Sequence, residues 1–92
     1  MPRFLIEIPH ESDERACVHA INVIRQTGAH FFSKADWGCL DGEHKAWLIV
    51  DVDSKQEALG IVPVSCRKDA KIVQLNSFSE QEVDDMVLSY GL

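Results

Sequence analysis

Residues His30–Ser54 have the sequence HFFSKADWGCLDGEHKAWLIVDVDS, and the pairing of this segment with itself sets the architecture of the sheet. At its centre, Asp41-Gly42 fits a two-residue β-turn, because Asp tolerates a positive φ and Gly adopts one without steric cost. Apolar and polar residues alternate on both sides of this dipeptide. We therefore predict a β-hairpin in which residues whose numbers sum to 83 lie opposite each other.

The predicted register divides the hairpin side chains between two faces of a sheet. Trp37, Cys39 and His44 belong to the face that the helices cover. A shift of the turn by one residue would exchange the two sets. We call the opposite side of the sheet, away from the helices, the open face. The residues predicted to line the open face and to bind a ligand there are His30, Phe32, Lys34, Asp36, Trp47, Gln74 and Asn76.

Alternation and capping signals outside the hairpin predict two more strands and three helices. Residues 3–9 and 71–76 alternate as strands do. Helices are predicted to begin at Ser12, Ser54 and Ser79, whose hydroxyls can accept hydrogen bonds from the first turn. The order is therefore β-α-β-β-α-β with an added C-terminal helix, in one domain over residues 1–92. It predicts a ferredoxin-like α+β fold, with a four-stranded antiparallel sheet in the order 4-1-3-2 and helices on one face.

The charge and the hydropathy of the chain limit the classes of partner that it is expected to bind. The formal net charge of −6 opposes general affinity for nucleic acid or anionic membranes. No apolar run reaches the ~20 residues that span a bilayer, and the N-terminus leads directly into a strand pattern rather than a signal peptide. We therefore expect a cytoplasmic protein. Its three cysteines, an odd number, predict reduced thiols rather than disulfides.

Four segments resemble the dimeric α/β-barrel superfamily, and especially small uncharacterised bacterial proteins of that type. They are Phe4–Glu7, Ala35–Cys39, Ala46–Ser54 and Ala70–Val73. The resemblance implies a homodimer in which two ferredoxin-like subunits pack their open faces together and enclose ligand pockets. The superfamily includes muconolactone isomerases, antibiotic-synthesis monooxygenases and stress-response barrel proteins. No catalytic signature of these enzymes maps onto this chain residue by residue.

Glu7 is the candidate catalytic residue. The predicted strand order places it at the centre of the open face beside Trp47. Loss of hydration there would raise the pKa of its carboxyl group and suit it to proton transfer. The structural alternative is an ion pair with Lys34, Lys45 or a cation of a partner subunit.

Cys39 and His44 face each other at the predicted hairpin tip, and His10 ends the first strand. Thiolate and imidazole suit zinc or a similar divalent ion, but a structural site needs about four ligands. The chain has no Cys-x-x-Cys or His-x-x-x-His pair. We therefore predict no metal site and keep these three residues as the alternative. Cys17 is assigned to the core stripe of the first helix, and Cys66 to a loop, with a reactive thiolate at Cys66 as its alternative.

Two functional hypotheses from different classes remain. The first is a homodimeric module, without a cofactor, that holds a small and partly apolar ligand at the open face. The second is a cofactor-independent isomerase or monooxygenase-like enzyme that acts on a small conjugated or aromatic acid through Glu7, with His30 or Asp36 assisting. His30, Lys34 and Asp36 have the alternative of solvating an edge strand. Because the enzyme hypothesis depends on fold analogy, we favour the binding module and leave enzyme activity undecided.

Overall fold

Four strands and four helices make up the chain, and the computed structural model describes residues 1–92 apart from the side chain of Ala29. The strands form one antiparallel sheet, as predicted for an α+β protein. The elements are β1 (Arg3–Pro9), α1 (Glu14–Thr27), α2 (Ala29–Lys34), β2 (Asp36–Trp37), β3 (Lys45–Asp51), α3 (Lys55–Ile61), β4 (Lys71–Leu75) and α4 (Glu80–Tyr90). The strands lie in the order β2-β3-β1-β4, so β1 and β3 are central.

The hydrophobic core lies between one face of the sheet and the first three helices. Alternate residues of β1 are buried, as a strand with one covered face requires. The other face of the sheet is not covered by any helix of the described chain. The buried core consists of Phe4, Ile6 and Ile8 from β1, Ala46 and Leu48 from β3, Ile24 from α1, Phe31 from α2, Ala58 from α3, and Val62.

The hairpin keeps its predicted register but not its predicted turn. Asp36 pairs with Trp47, and β2 and β3 continue in the same register at the next residue. Gly42 has the expected left-handed conformation, with φ of 83°. Asp41 instead ends a 3₁₀ turn that begins at Cys39, and no residue other than glycine has a positive φ in the described chain. The two-residue turn is therefore wrong, because the tip of the hairpin is wider.

Residues 29–34 form a helix where the sequence predicted the start of a strand. Phe31 is 1% exposed and fills the core, whereas Phe32 packs beside Trp37 with ring centroids 6.4 Å apart. His30 is exposed on α2, and its carbonyl accepts a hydrogen bond from Ser33 Oγ. The prediction that His30 and Phe32 lie on the open face is wrong, because a helical period replaces the alternation of a strand.

β4 pairs with β1 in a register that reverses its predicted faces. Leu5 lies opposite Val73, and Phe4 lies opposite Gln74. Opposite residues of an antiparallel pair project from the same side, so Gln74 lies on the helix-covered side of the sheet. Its predicted place on the open face is wrong. Asn76, predicted beside it, follows the last residue of β4.

The open face is mixed in character, as predicted. Asp36, Glu7 and Trp47 all lie on it, and Ile49 at its centre is 55% exposed. The register assigns to the open face Asp36 from β2, Lys45, Trp47, Ile49 and Asp51 from β3, Arg3, Leu5 and Glu7 from β1, and Lys71, Val73 and Leu75 from β4.

α4 extends away from the rest of the chain. Its predicted capping box is confirmed, since Ser79 Oγ accepts from the Glu82 N–H and the Glu82 carboxylate accepts from the Ser79 N–H. Every residue from 76 to 92 is exposed. The molecule is 52 Å long with a radius of gyration of 16.6 Å, against about 12 Å for a compact chain of this length. Among the described residues, therefore, no side chain of α4 is buried.

Candidate metal centre

Two histidines and two cysteines meet beside the tip of the hairpin. We call this group the Cys-His cluster; its members are His10, Cys17, Cys39 and His44. One donor atom from each residue lies within 4.8 Å of the others. His10 Nε2 lies 3.2 Å from Cys17 Sγ and 3.1 Å from Cys39 Sγ.

The pairing of β1 with β3 places the two imidazoles of the cluster together. Pro9 lies opposite Lys45 at the end of the ladder. The next residue continues the pattern, because the His10 N–H donates to the His44 carbonyl oxygen at 2.9 Å. Both rings therefore project from the helix-covered side, and their centroids lie 5.7 Å apart.

Helix α1 brings Cys17 to the same place. The helix begins one residue later than predicted, because Asp13 rather than Ser12 is the cap: its carboxylate accepts from the backbone N–H groups of Arg15 and Ala16. Cys17 follows one turn later on the buried stripe that also carries Ile24. At 7% exposed it faces the sheet beneath the hairpin tip.

Gly38 lets the chain turn tightly just before Cys39. A Cβ atom at Gly38 would lie 2.7 Å from the Glu43 carbonyl oxygen and 2.7 Å from the Trp47 ring. The Gly38 carbonyl also accepts from the N–H groups of Asp41 and Glu43, each at 3.0 Å. The turn that presents Cys39 to the cluster therefore requires a residue without a side chain.

Burial shifts the pKa of two groups of the cluster, the Cys39 thiol and the His10 imidazole. Desolvation raises the pKa of the Cys39 thiol to about 11, and a hydrogen bond with Cys17 acts in the same direction. Desolvation lowers the pKa of His10, and the charge of His44 lowers it further. The cluster thus holds a protonated thiol at Cys39 beside a neutral imidazole at His10.

His44 adds an observation that hydrogen bonding within the chain does not explain. Its Nδ1 atom is buried and has no hydrogen-bond partner among the described residues. Leaving a buried polar atom unpaired costs roughly 1–3 kcal/mol, so such atoms usually have a partner. A metal ion would supply one.

The spacing of the cluster suits a tetrahedral ion. With Zn–S bonds of about 2.3 Å and Zn–N bonds of about 2.0 Å, neighbouring ligand atoms of a tetrahedron lie about 3.3–3.8 Å apart. The distances from His10 Nε2 to Cys17 Sγ and to Cys39 Sγ are shorter than this by only a few tenths of an ångström. The remaining pairs of donor atoms lie within 4.8 Å, so the four side chains would have to adjust to admit the ion.

A cavity of about 580 Å³ adjoins the cluster and gives access to it. Cys17, Cys39 and His44 lie in its wall, together with the aromatic rings of Phe32 and Trp37. Its volume lies within the range of small-molecule sites. The cavity is on the helix-covered side of the sheet, whereas the sequence predicted a ligand site on the open face.

The carboxylate of Glu7 on the open face has two partners from its own chain. Trp47 Nε1–H donates to Glu7 Oε1 at 3.1 Å, and Lys45 Nζ lies 3.8 Å from the same oxygen. These contacts favour the ion-pair alternative for Glu7, and a catalytic role for it stays a prediction. Trp47 also lines a shallow cavity of about 230 Å³ together with Lys34 and Asp36. Those three predicted ligand-binding residues lie together, apart from His30, Phe32, Gln74 and Asn76.

Sequence reasoning missed Cys17 as a member of the cluster. Its side of α1 was predicted correctly, as was the helix-covered side for Cys39 and His44, which share a cavity wall with residues of α1. His10 continues the inward alternation of Ile6 and Ile8, which was a usable signal. Together these four assignments put every donor on one side of the sheet. The crossing point of α1 over the hairpin, which sequence does not give, brings them within bonding distance.

No protein-family model, curated protein or solved structure matches this chain. Across the described residues, none of the helices has both the length and the apolar character needed to cross a membrane.

Proposed function

We propose that this protein binds one divalent metal ion of the zinc class through the Cys-His cluster. The convergence of His10, Cys17, Cys39 and His44 within 4.8 Å carries the proposal. Two thiolates and two imidazoles are a set that zinc prefers, and together they complete a tetrahedron. Two thiolates also balance the charge of the ion in a partly buried place.

The chemistry of this ligand set favours retention of the ion over catalysis at it. Catalytic zinc keeps a position open for water, whereas four protein ligands close the coordination sphere. The ion would join the end of β1, the first turns of α1 and both sides of the hairpin tip. Its binding free energy would therefore stabilise the contact between the helix layer and the sheet.

Zinc titration of the reduced, full-length chain tests the proposal. In competition with a chromophoric chelator, we expect one ion per wild-type chain and a large loss of affinity in Cys39→Ser. Cys66→Ser is the matched control, since Cys66 is a free cysteine outside the cluster. A wild-type chain that takes up no zinc would overturn the proposal, as would a Cys39→Ser chain that binds like the control.

Binding of a small apolar molecule is a second candidate function, favoured by the cavity beside the cluster. We expect an apolar fluorescent dye to bind in this cavity. Val18 lies in the cavity wall, so Val18→Asp should weaken binding of the dye. Leu88→Asp, on exposed α4, is the control. Equal dye binding by both variants would contradict this function.

The chain's topology is also a proposal, namely the ferredoxin-like arrangement of the dimeric α/β-barrel superfamily. The order of the elements, the antiparallel pairing and the helices on one face support it. An experimental structure with β1 or β3 at an edge of the sheet would contradict it.

A further inference from the structure

Two apolar surfaces of the described chain, residues 1–92, have no cover. One is the apolar stripe of α4, formed by Val83, Met86, Val87 and Tyr90, with Met86 44% exposed. The other is the centre of the open face, formed by Leu5, Ile49, Val73 and Leu75. We propose that α4 of one copy packs its stripe on the open face of a second copy, and that the exchange is reciprocal.

α4 has no buried side chain within the part of the chain that the structure describes, so its apolar stripe lacks a tertiary contact. An isolated helix shorter than about 12 residues is marginal in water, and α4 has 11 residues. The capping box at Ser79 and the left-handed Gly91 define its ends. Caps satisfy backbone groups but bury no apolar surface, so the stripe is the part of α4 that requires a partner.

Charge favours the open face over a second α4 as the surface that receives this helix. Residues 77–92 contain four acidic residues and no basic residue. Pairing two such helices would bring eight carboxylates together. The open face is neutral overall, because three basic residues balance three acidic ones: Arg3, Lys45 and Lys71 against Glu7, Asp36 and Asp51. A helix with acidic flanks therefore meets no net repulsion there, and Arg3 and Lys71 lie on either side of the apolar centre.

A second copy is the occupant because each chain offers both halves of the contact. Two-fold symmetry then forms the same helix-on-sheet contact twice. A helix of this length covers an area about 16 Å by 10 Å. Two contacts bury on the order of 1,000 Å² of accessible surface, near the lower limit for a specific interface. Only residues 76–78 connect β4 to the cap of α4, and short connections favour exchange between copies.

This arrangement differs from direct packing of two open faces. Here a helix lies between the sheet and solvent, so substitutions in α4 and in the sheet both disrupt the dimer. It does not depend on the metal proposal, because Ile49, Val73 and α4 lie outside the Cys-His cluster.

Sedimentation equilibrium of full-length variants at micromolar concentration tests the exchange. We expect the wild-type chain to be a dimer, with or without zinc. Met86→Asp and Ile49→Asp should each raise the dissociation constant of the dimer by at least tenfold. Both residues are exposed, so neither change opens the core. Leu88→Asp, on the opposite side of α4, is the matched control and stays dimeric. Circular dichroism verifies that each variant is folded.

Mixing the two disrupted variants identifies the exchange itself. The Met86→Asp chain keeps an intact open face and the Ile49→Asp chain keeps an intact helix, so their mixture forms one good contact and recovers heterodimer. A monomeric wild-type chain would overturn the proposal. This includes a monomer in which the amides of α4 are protected from hydrogen exchange, since α4 would then pack on the sheet of its own chain. A dimer that resists Met86→Asp but not Ile49→Asp would also overturn it, since it indicates direct packing of open faces.

Discussion

His10 Nε2 lies 3.1 Å from Cys39 Sγ, although the two residues are 29 positions apart in the chain. Pairing of β1 with β3 brings the end of the first strand to the hairpin tip, where the turn after Gly38 presents Cys39. The same nitrogen lies 3.2 Å from Cys17 Sγ on α1. One imidazole therefore contacts a thiol of the helix layer and a thiol of the hairpin, which is the arrangement that a bridging metal ion would reinforce.

Loss of Cys17 should weaken zinc binding strongly. Structural zinc sites with four ligands contribute about 10–16 kcal/mol, so one ligand accounts for about 3 kcal/mol, or on the order of 100-fold in affinity. We expect that loss for Cys17→Ser in a chelator competition titration and no more than a small change for Cys66→Ser. Equal affinity of the two variants would exclude Cys17 from the site.

Zinc affinity should fall as the pH falls. Burial raises the pKa of Cys39 to about 11, so its thiol holds a proton throughout the neutral range. Zinc binds the thiolate, so each ion bound displaces at least that proton. The apparent affinity then falls about tenfold per pH unit for each proton released. Titrations at about pH 6, 7 and 8 measure the slope, which Cys39→Ser should reduce by about one proton. A wild-type affinity independent of pH would contradict displacement of a thiol proton.

Gly38→Ala should destabilise the protein. The added Cβ would meet the Glu43 carbonyl and the Trp47 ring at 2.7 Å, and overpacking of this kind costs about 1–3 kcal/mol. Gly60→Ala is the control, because Gly60 lies within α3 with open space around its Cβ position. We expect it to raise the free energy of unfolding by about 0.5–1 kcal/mol. Urea denaturation separates the two effects, and a stabilised Gly38→Ala would contradict the account of this turn.

The capping box of α4 should weaken in acid. Hydrogen bonds from Ser79, chiefly from its backbone N–H, lower the pKa of Glu82 below its ordinary value of 4.5. A lowered pKa means that the charged form stabilises the folded helix. This contribution is complete above the ordinary value and is lost as the pH falls through the lowered one. The Glu82 carboxyl titration followed by NMR should show the depressed midpoint, with Glu80 as the comparison. Identical midpoints would contradict the capping role of Glu82.

The face of the sheet on which most side chains of the hairpin lie could be predicted from the sequence, because it depends on the local alternation of apolar and polar residues. The Asp41-Gly42 pair marked the centre of the hairpin, so the separation of Trp47 from Trp37 followed even though the turn itself is wider than predicted. The prediction that Gln74 lies on the open face was wrong for a physical reason. Apolar residues of an edge strand can face outward, as Val73 does at 36% exposed, so hydrophobicity alone misassigned β4.

Tertiary placement accounts for the other differences. Two adjacent phenylalanines fit a strand or a helix, and the burial of Phe31 between α1 and the sheet favours the helix. Cys17 was on the correct face of α1, yet its distance to His10 depends on where the helix crosses the sheet. Likewise, the helical period of residues 80–90 predicted the apolar stripe of α4. It did not predict that the stripe would be exposed rather than packed on the sheet of its own chain.

X-ray absorption at the zinc edge of the loaded, full-length protein is the sharpest test of the Cys-His metal centre, because it counts the atoms bonded to the ion. We expect two sulfur ligands at about 2.3 Å and two nitrogen ligands at about 2.0 Å. Removing Cys39 should leave one sulfur, whereas removing Cys66 should leave both. A first shell of oxygen and nitrogen alone, or one unchanged in Cys39→Ser, would contradict the proposed metal centre.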